Sequence, residues 1–196
     1  MTELVLSKRP VTKTFGTNEG FRPVAFEQVV GVSLPASKPV WEYKYKPDGS
    51  EIEESLSLED GVAERIADFY EQTKARKHEK RPFHNCHTLA WYAVGAMAKV
   101  DYYPHIGHYP DDPVEVNNLK AGQTYSVWSD GDLNHSLIGT HRPDYSLNVL
   151  GDYNPMMVID NTTVMDIYKG TEIRPSLLLA ASRKPEVLTT GLEVRL

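Results

Sequence analysis

Apolar positions along the chain recur first with a helical period and later with the pattern of short strands. Between residues 62 and 70 the apolar residues fall on one helical face: Val62, Ile66, Phe69 and Tyr70. Just before them, the segment 57–60 (Ser-Leu-Glu-Asp) fits a capping box. The pattern therefore predicts a helix from near Ser57 to about Lys77.

A second helix is predicted to begin at Asn85 or Cys86 and to run to about Lys99. The residues from Leu89 to Met97 are apolar on nearly every side of a helical projection, which is typical of a buried helix. Pro82 separates the two helices, because proline disfavours helical backbone at the residue before it.

From residue 119 onward, short apolar runs bounded by turn residues replace the helical pattern. The predicted strands are 123–128, 135–140, 147–150 and 156–160. Two further runs, 167–168 and 177–181, fit either type of element, and the proline-containing segment 101–118 is predicted to be a loop. Helices followed by a run of strands indicate an α+β fold with an antiparallel meander.

Residues 1–57 are rich in proline and glycine and contain only short strand-like runs, at 29–34 and 40–45. We interpret them as an irregular N-terminal extension, partly strand, that wraps the core. Residues 58–181 then form the α+β catalytic-type domain, and residues 182–196 form a C-terminal tail or edge strand.

The composition excludes several classes of protein. The chain has 196 residues, a net charge of −6 and one cysteine, so a disulfide scaffold and a four-cysteine zinc site are ruled out. The acidic balance argues against a nucleic-acid partner. No run of about 18 apolar residues suggests a membrane span. The first ten residues lack the apolar core of a secretion signal, so the cytoplasm is the default location, with another secretion route left open.

The residues most suited to chemistry are Cys86 and His135. Cys86 stands at the predicted start of a buried helix, where the partial positive charge of the helix terminus stabilises a thiolate. The amides there suit an oxyanion. A thiol nucleophile needs a base, and His135 opens an apolar strand directly after a turn.

A third residue is needed to orient the histidine ring. If the strands around Pro143 pair so that Thr140 faces Leu147, residue 135 lies opposite Asp152. A carboxylate there would fix the tautomer of the ring. Asn154 and Asp160 remain open as alternatives, because a small shift of register changes the facing residue.

Three segments resemble the papain-like cysteine hydrolases, in particular their compact bacterial NlpC/P60-like (CHAP-like) branch. They are Asn-Cys-His-Thr-Leu-Ala at 85–90, Leu-Lys-Ala-Gly-Gln at 119–123 and Asn-His-Ser-Leu-Ile-Gly at 134–139. The resemblance covers residues 58–160. It implies a papain-like fold with Cys86 as nucleophile, His135 as base and Asp152 as orienting residue, acting without a cofactor on a peptide or another amide or ester.

Two other hypotheses remain open. One is a metal-binding protein, since several ligand types occur near Cys86: His84, His87, His105 and His108, with His135 further along. Their spacing does not match a standard zinc pattern, so we expect no metal. The other is a binding or structural module with an inert cysteine. For the enzyme, Tyr102, Tyr103 and Trp128 are the predicted substrate-binding residues. The sequence does not indicate the oligomeric state.

Overall fold

A computed structural model describes residues 1–17, 20–75, 85–100, 102–109, 112–149 and 156–183. It has an α+β fold with mostly antiparallel strands in two sheets. The elements described are β1 (Thr2–Thr17), β2 (Gly20–Ser33), β3 (Trp41–Glu42), β4 (Ile52–Leu58), α1 (Val62–Ala75), α2 (Cys86–Ala93), β5 (Tyr102–His108), a 3₁₀ turn (Val116–Asn118), β6 (Thr124–Ser129), β7 (Asp132–Gly139), β8 (Tyr145–Val149), β9 (Met156–Asp160), α3 (Asn161–Ile167) and β10 (Glu172–Arg183).

The N-terminal region is a four-stranded sheet in the order β3-β2-β1-β4, so the prediction of an irregular extension is wrong. Leu4 and Leu6 are fully buried, whereas Glu3, Val5 and Ser7 beside them are exposed or partly exposed, which is the period of a strand with one face on the core. A β-bulge at Ser7/Lys8 interrupts the pairing of β1 with β2. Past it, Lys8 is 3% exposed and pairs with Glu27 (2.7 Å) and Glu54.

The second sheet has six strands in the order β5-β10-β6-β7-β8-β9. Strands β6 to β9 form the expected antiparallel meander. The segment 101–118 is not wholly a loop, because β5 pairs with the second half of β10. Of the two ambiguous runs, 167–168 closes α3 and 177–181 belongs to β10.

Two hydrophobic clusters lie on the two faces of this sheet. The first joins β1, β2, α1 and α2 to Ile138 and Leu147. The second joins the tip of the β1–β2 hairpin and α3 to Leu137 and Val127. Because neighbouring residues of a strand point to opposite faces, Ile138 and Leu137 mark the two sides of β7. The long hairpin contributes to both clusters, so the N-terminal strands share their core with the rest of the protein.

The helices begin and end where local pairing and caps dictate. α1 begins at Val62 rather than near Ser57, because Ser57 and Leu58 extend β4 and pair with β1. α2 begins at Cys86, as the sequence predicts, and Asn85 caps it: its side-chain oxygen accepts a hydrogen bond from the Thr88 amide at 2.9 Å. α2 ends at Ala93 and not near Lys99, and Gly95 follows with a φ of 79°, a backbone conformation that favours glycine.

Within the described ranges, none of the helices has both the length and the apolar character to cross a membrane.

Candidate functional site

Cys86 is the first residue of α2 and is partly exposed. Its side chain packs against the first hydrophobic cluster. The side chain of Asn85 accepts a hydrogen bond from the amide of Thr88. The amides of Cys86 and His87 precede it in the first turn of α2. A helix start of this kind favours the thiolate form of a cysteine.

His135 lies in β7 opposite Val127 of β6 and is 2% exposed. Its Nε2 is 2.8 Å from Oδ1 of Asn148. The amide nitrogen of Asn148 donates to the carbonyl oxygen and the hydroxyl of Ser146, so the oxygen of Asn148 is the atom that faces the ring. The ring therefore carries its proton on Nε2 and donates it to Asn148, and the lone pair of the neutral imidazole is on Nδ1.

Burial lowers the pKa of His135 to about 3, and a nearby charge on His87 would lower it further. The hydrogen bond with Asn148 acts in the opposite direction and is the smaller effect. At neutral pH the imidazole is consequently uncharged. A pKa of about 3 is well below the operating pH, so the buried ring is a weak proton acceptor in this arrangement.

Tyr168 packs against His135 and is within electrostatic range of Cys86. Its ring stacks on that of His135, with centroids 4.8 Å apart and an interplanar angle of 14°. Burial raises the pKa of the Tyr168 phenol, and a charge on Cys86 raises it further. Cys86 is thus close enough to act electrostatically on the residue that packs against His135. In the sequence Tyr168 fell in an ambiguous apolar run, so nothing marked it as part of a site.

The structure places the two predicted catalytic residues on different sides of β7. His135 shares its face with Leu137, which belongs to the second cluster. The next residue, Ser136, faces α2, where its Oγ is 2.8 Å from Nδ1 of His87. Among the described residues, the His135 ring meets Asn148 and Tyr168, while Cys86 lies on the α2 side.

The predicted pairing of β7 with β8 is wrong by two residues. Leu147 lies opposite Ile138 and not Thr140. A shift of two preserves the faces but changes which side chain of β8 reaches the ring. Asn148 pairs with Leu137 and so is the diagonal neighbour of His135 on the same face, within reach of a long side chain. An asparagine between Leu147 and Val149 was the signal that the sequence offered.

The other candidates for the orienting residue have different positions. Asp152 and Asn154 lie outside the described residues. Asp160 caps α3: it accepts hydrogen bonds from the amide of Thr163 at 2.9 Å and from its hydroxyl at 2.6 Å. It lies opposite Tyr145 in the ladder of β8 and β9. Its carboxylate therefore serves the start of α3.

The predicted substrate-binding residues are spread over the second sheet. Tyr102 and Tyr103 are in β5, which is separated from β7 by β10 and β6. Three strand spacings amount to about 14 Å, so the sheet order does not bring these tyrosines next to His135. Trp128 is closer, in β6, and lines a cavity of about 350 Å³ with its ring edge against His108.

In the part of the chain that the structure describes, no three His, Cys, Asp or Glu side chains converge as they would around a metal ion. His105 and His108 lie on β5, and His84 is outside the described ranges.

Comparison with known proteins finds no matching family model, curated protein or solved structure. The resemblance to the NlpC/P60-like hydrolases therefore depends on the residues of this chain alone.

Proposed function

We propose that the protein is a cysteine hydrolase, an amidase or peptidase that works by thiol acyl transfer. Cys86 is the nucleophile, His135 the base and Asn148 the residue that orients the base. The observation that carries the proposal is the hydrogen bond from Nε2 of His135 to Asn148. It holds a buried imidazole in one tautomer with Nδ1 ready to accept a proton, which is the arrangement that a thiol nucleophile needs.

The reaction follows from these roles. Nδ1 of His135 takes the thiol proton, and the sulfur attacks the carbonyl carbon of an amide or ester. Amides in the first turn of α2 stabilise the resulting oxyanion. The intermediate collapses when Nδ1–H protonates the leaving amine or alcohol, which leaves a thioester on Cys86. Water, deprotonated by His135, then hydrolyses the thioester and regenerates the thiol.

The exposure of Cys86, His135 and Asn148 suits the roles of nucleophile, base and orienting residue. Cys86 is the partly exposed member and is the one that must meet a substrate. His135 and Asn148 are 2% and 1% exposed, so their hydrogen bond is shielded from water. Asn148 also stabilises the imidazolium that forms during the reaction, because its Oδ1 accepts from Nε2–H in both protonation states of the ring.

The proposal sets one geometric requirement. Proton transfer needs the sulfur and Nδ1 to come within hydrogen-bond reach, at about 3–4 Å. Because Cys86 lies on the α2 side of β7 and the His135 ring lies on the side of Tyr168, the proposal requires the start of α2 to move relative to β7 when a substrate binds. The Tyr168 ring, which stacks on His135, must shift as well.

Alkylation of Cys86 by iodoacetamide across the range pH 5 to 9 tests the proposal without knowledge of the substrate. An activated Cys86 reacts quickly below pH 7, and His135→Ala lowers that rate, because the neutral imidazole no longer takes the thiol proton as the sulfur reacts. Cys86→Ala is the control that shows where the label goes, since the chain has one cysteine. A wild-type midpoint near 8.5 would contradict the proposal and favour a binding or structural module.

A further inference from the structure

One hydrogen bond joins the residue after the proposed nucleophile to the residue after the proposed base. Nδ1 of His87 is 2.8 Å from Oγ of Ser136. His87 follows Cys86 in the first turn of α2, and Ser136 follows His135 in β7. The bond therefore links the two elements one residue away from each catalytic group.

We propose that His87 and Ser136 are positioning residues, whose hydrogen bond fixes the first turn of α2, and with it Cys86, against β7. This inference rests on the proposed hydrolase function. Neither side chain takes part in the chemistry: Ser136 is 1% exposed, and it points to the face of β7 opposite the ring of His135. Their effect on the reaction is through the placement of their neighbours.

The far end of α2 is held by hydrogen bonds from Arg65 to the carbonyl oxygen of Ala93 and from the Tyr92 hydroxyl to Asp68, whereas its buried face packs against apolar groups. Leu89, Ala90 and Ala93 pack in the first cluster with Ile138, and apolar packing tolerates small rotations and slides of a helix. A hydrogen bond requires a short distance and a narrow range of angles. The link from His87 to Ser136 therefore fixes the rotation of the first turn of α2, and with it the direction of the Cys86 sulfur.

The surroundings make the bond costly to lose. His87 is partly buried, which lowers its pKa to about 4, so the bond joins two neutral groups at neutral pH. The serine beneath it belongs to a buried polar row, because Ser126 lies opposite Ser136 and bonds to Ser176. A buried polar group left without its partner is destabilising, so the native structure favours the single arrangement in which His87 reaches Ser136.

The neighbouring Ser126 provides a matched control. It is 0% exposed, faces the same side of the sheet and makes a hydroxyl hydrogen bond, but it bonds to Ser176 and not to α2. Ser126→Ala therefore removes a buried hydroxyl of the same kind without touching the link between the two catalytic elements.

The test compares the pH profile of Cys86 alkylation in the full-length wild type, Ser136→Ala, Ser136→Thr and Ser126→Ala. We expect Ser136→Ala to lower the alkylation rate at pH 6 by about tenfold or more, since small misplacements of reacting groups have effects of this size, and to move the midpoint upward. Ser136→Thr, which keeps the hydroxyl, retains the wild-type midpoint. Ser126→Ala lowers the midpoint of thermal unfolding but leaves the alkylation profile unchanged.

His87→Gln is the second variant, for the case in which Ser136→Ala does not fold. It replaces an imidazole nitrogen with a side chain of different reach, and it is expected to move the profile in the same direction. The inference is overturned if the folded variants of His87 and Ser136 match the wild-type profile, or if Ser126→Ala shifts it equally. A wild-type midpoint near 8.5 would overturn the proposed function itself, so the two failures are distinguishable.

Discussion

Acidification from pH 7 to pH 5 should destabilise this protein through His87 and His135. Burial lowers the pKa of His135 to about 3 and that of His87 to about 4. In the unfolded chain both titrate near the ordinary value of about 6.5. Between pH 6.5 and 4 the unfolded state therefore binds more protons than the native state, and stability falls as the pH falls.

The magnitude follows from the unfolded state alone, because both native rings stay neutral down to pH 5. An unfolded histidine at pH 5 is about 1.5 pH units below its pKa, which favours unfolding by about 2 kcal/mol for each ring. The two rings together account for about 4 kcal/mol between pH 7 and pH 5. This is a large part of the 5–15 kcal/mol that is typical of a folded domain.

Urea unfolding at pH 7, 6 and 5, followed by the fluorescence of the three tryptophans, measures this loss. His87→Gln and His135→Gln are compared with the wild type at each pH, and each should remove about 2 kcal/mol of the pH-dependent part. Their stabilities at pH 7 can differ from the wild type without affecting the comparison. Equal losses between pH 7 and pH 5 in the wild type and both variants would refute the argument.

Three substitutions test other parts of the structure. Asn148→Ala removes the acceptor of the His135 Nε2–H. It should lower the free energy of unfolding in urea by about 1–3 kcal/mol and slow the alkylation of Cys86 at pH 6; an unchanged alkylation rate would show that Asn148 has no role in the reactivity of Cys86. Lys8→Met removes a buried cation from two glutamates, but Glu27 is 41% exposed and Glu54 keeps its pair with Arg142, so the change should cost about 1–3 kcal/mol in the same assay; an unchanged stability would contradict a paired, buried Lys8. Gly139→Ala places a methyl group against the carbonyl oxygen of Lys120, and should lower the thermal midpoint, whereas an unchanged midpoint would show that this approach is looser than described.

The sequence predicted the parts of the fold that depend on local signals. The start of α2 was correct because an asparagine precedes a helical apolar run and caps it. The meander was correct because short apolar runs alternate with turn residues. The four-stranded N-terminal sheet was missed, because β1 and β2 contain Pro10 and Pro23 and charged residues among their apolar positions, and because β1 pairs with β4 from a distant part of the chain. The capping box at Ser57 failed for the same reason, since β1 recruits that residue into β4.

The site was predicted in part. Cys86 at a helix start is a local feature, and the structure has it there. The partner of His135 depends on the register of β7 against β8. The last pair before the turn is Gly139 opposite Ser146, so the connection between the strands is longer than a tight turn around Pro143 implies. Periodicity groups the residues of one face but does not determine register or which face a helix covers, so neither the side of β7 on which His135 lies nor its contact with Asn148 could be predicted. The stacking of Tyr168 depends on α3 packing against the sheet, which no local pattern encodes.

The distance from the Cys86 sulfur to Nδ1 of His135 is the quantity on which the proposed function depends most directly. A crystal structure of the protein with Cys86 covalently joined to a small acylating or alkylating reagent would measure this distance while the reagent occupies the place of the substrate. The proposal predicts a separation of about 4 Å or less, with Asn148 still bonded to Nε2 and the Tyr168 ring displaced. A separation of about 8 Å or more, with His135 still packed beneath Tyr168 on the far side of β7, would contradict it.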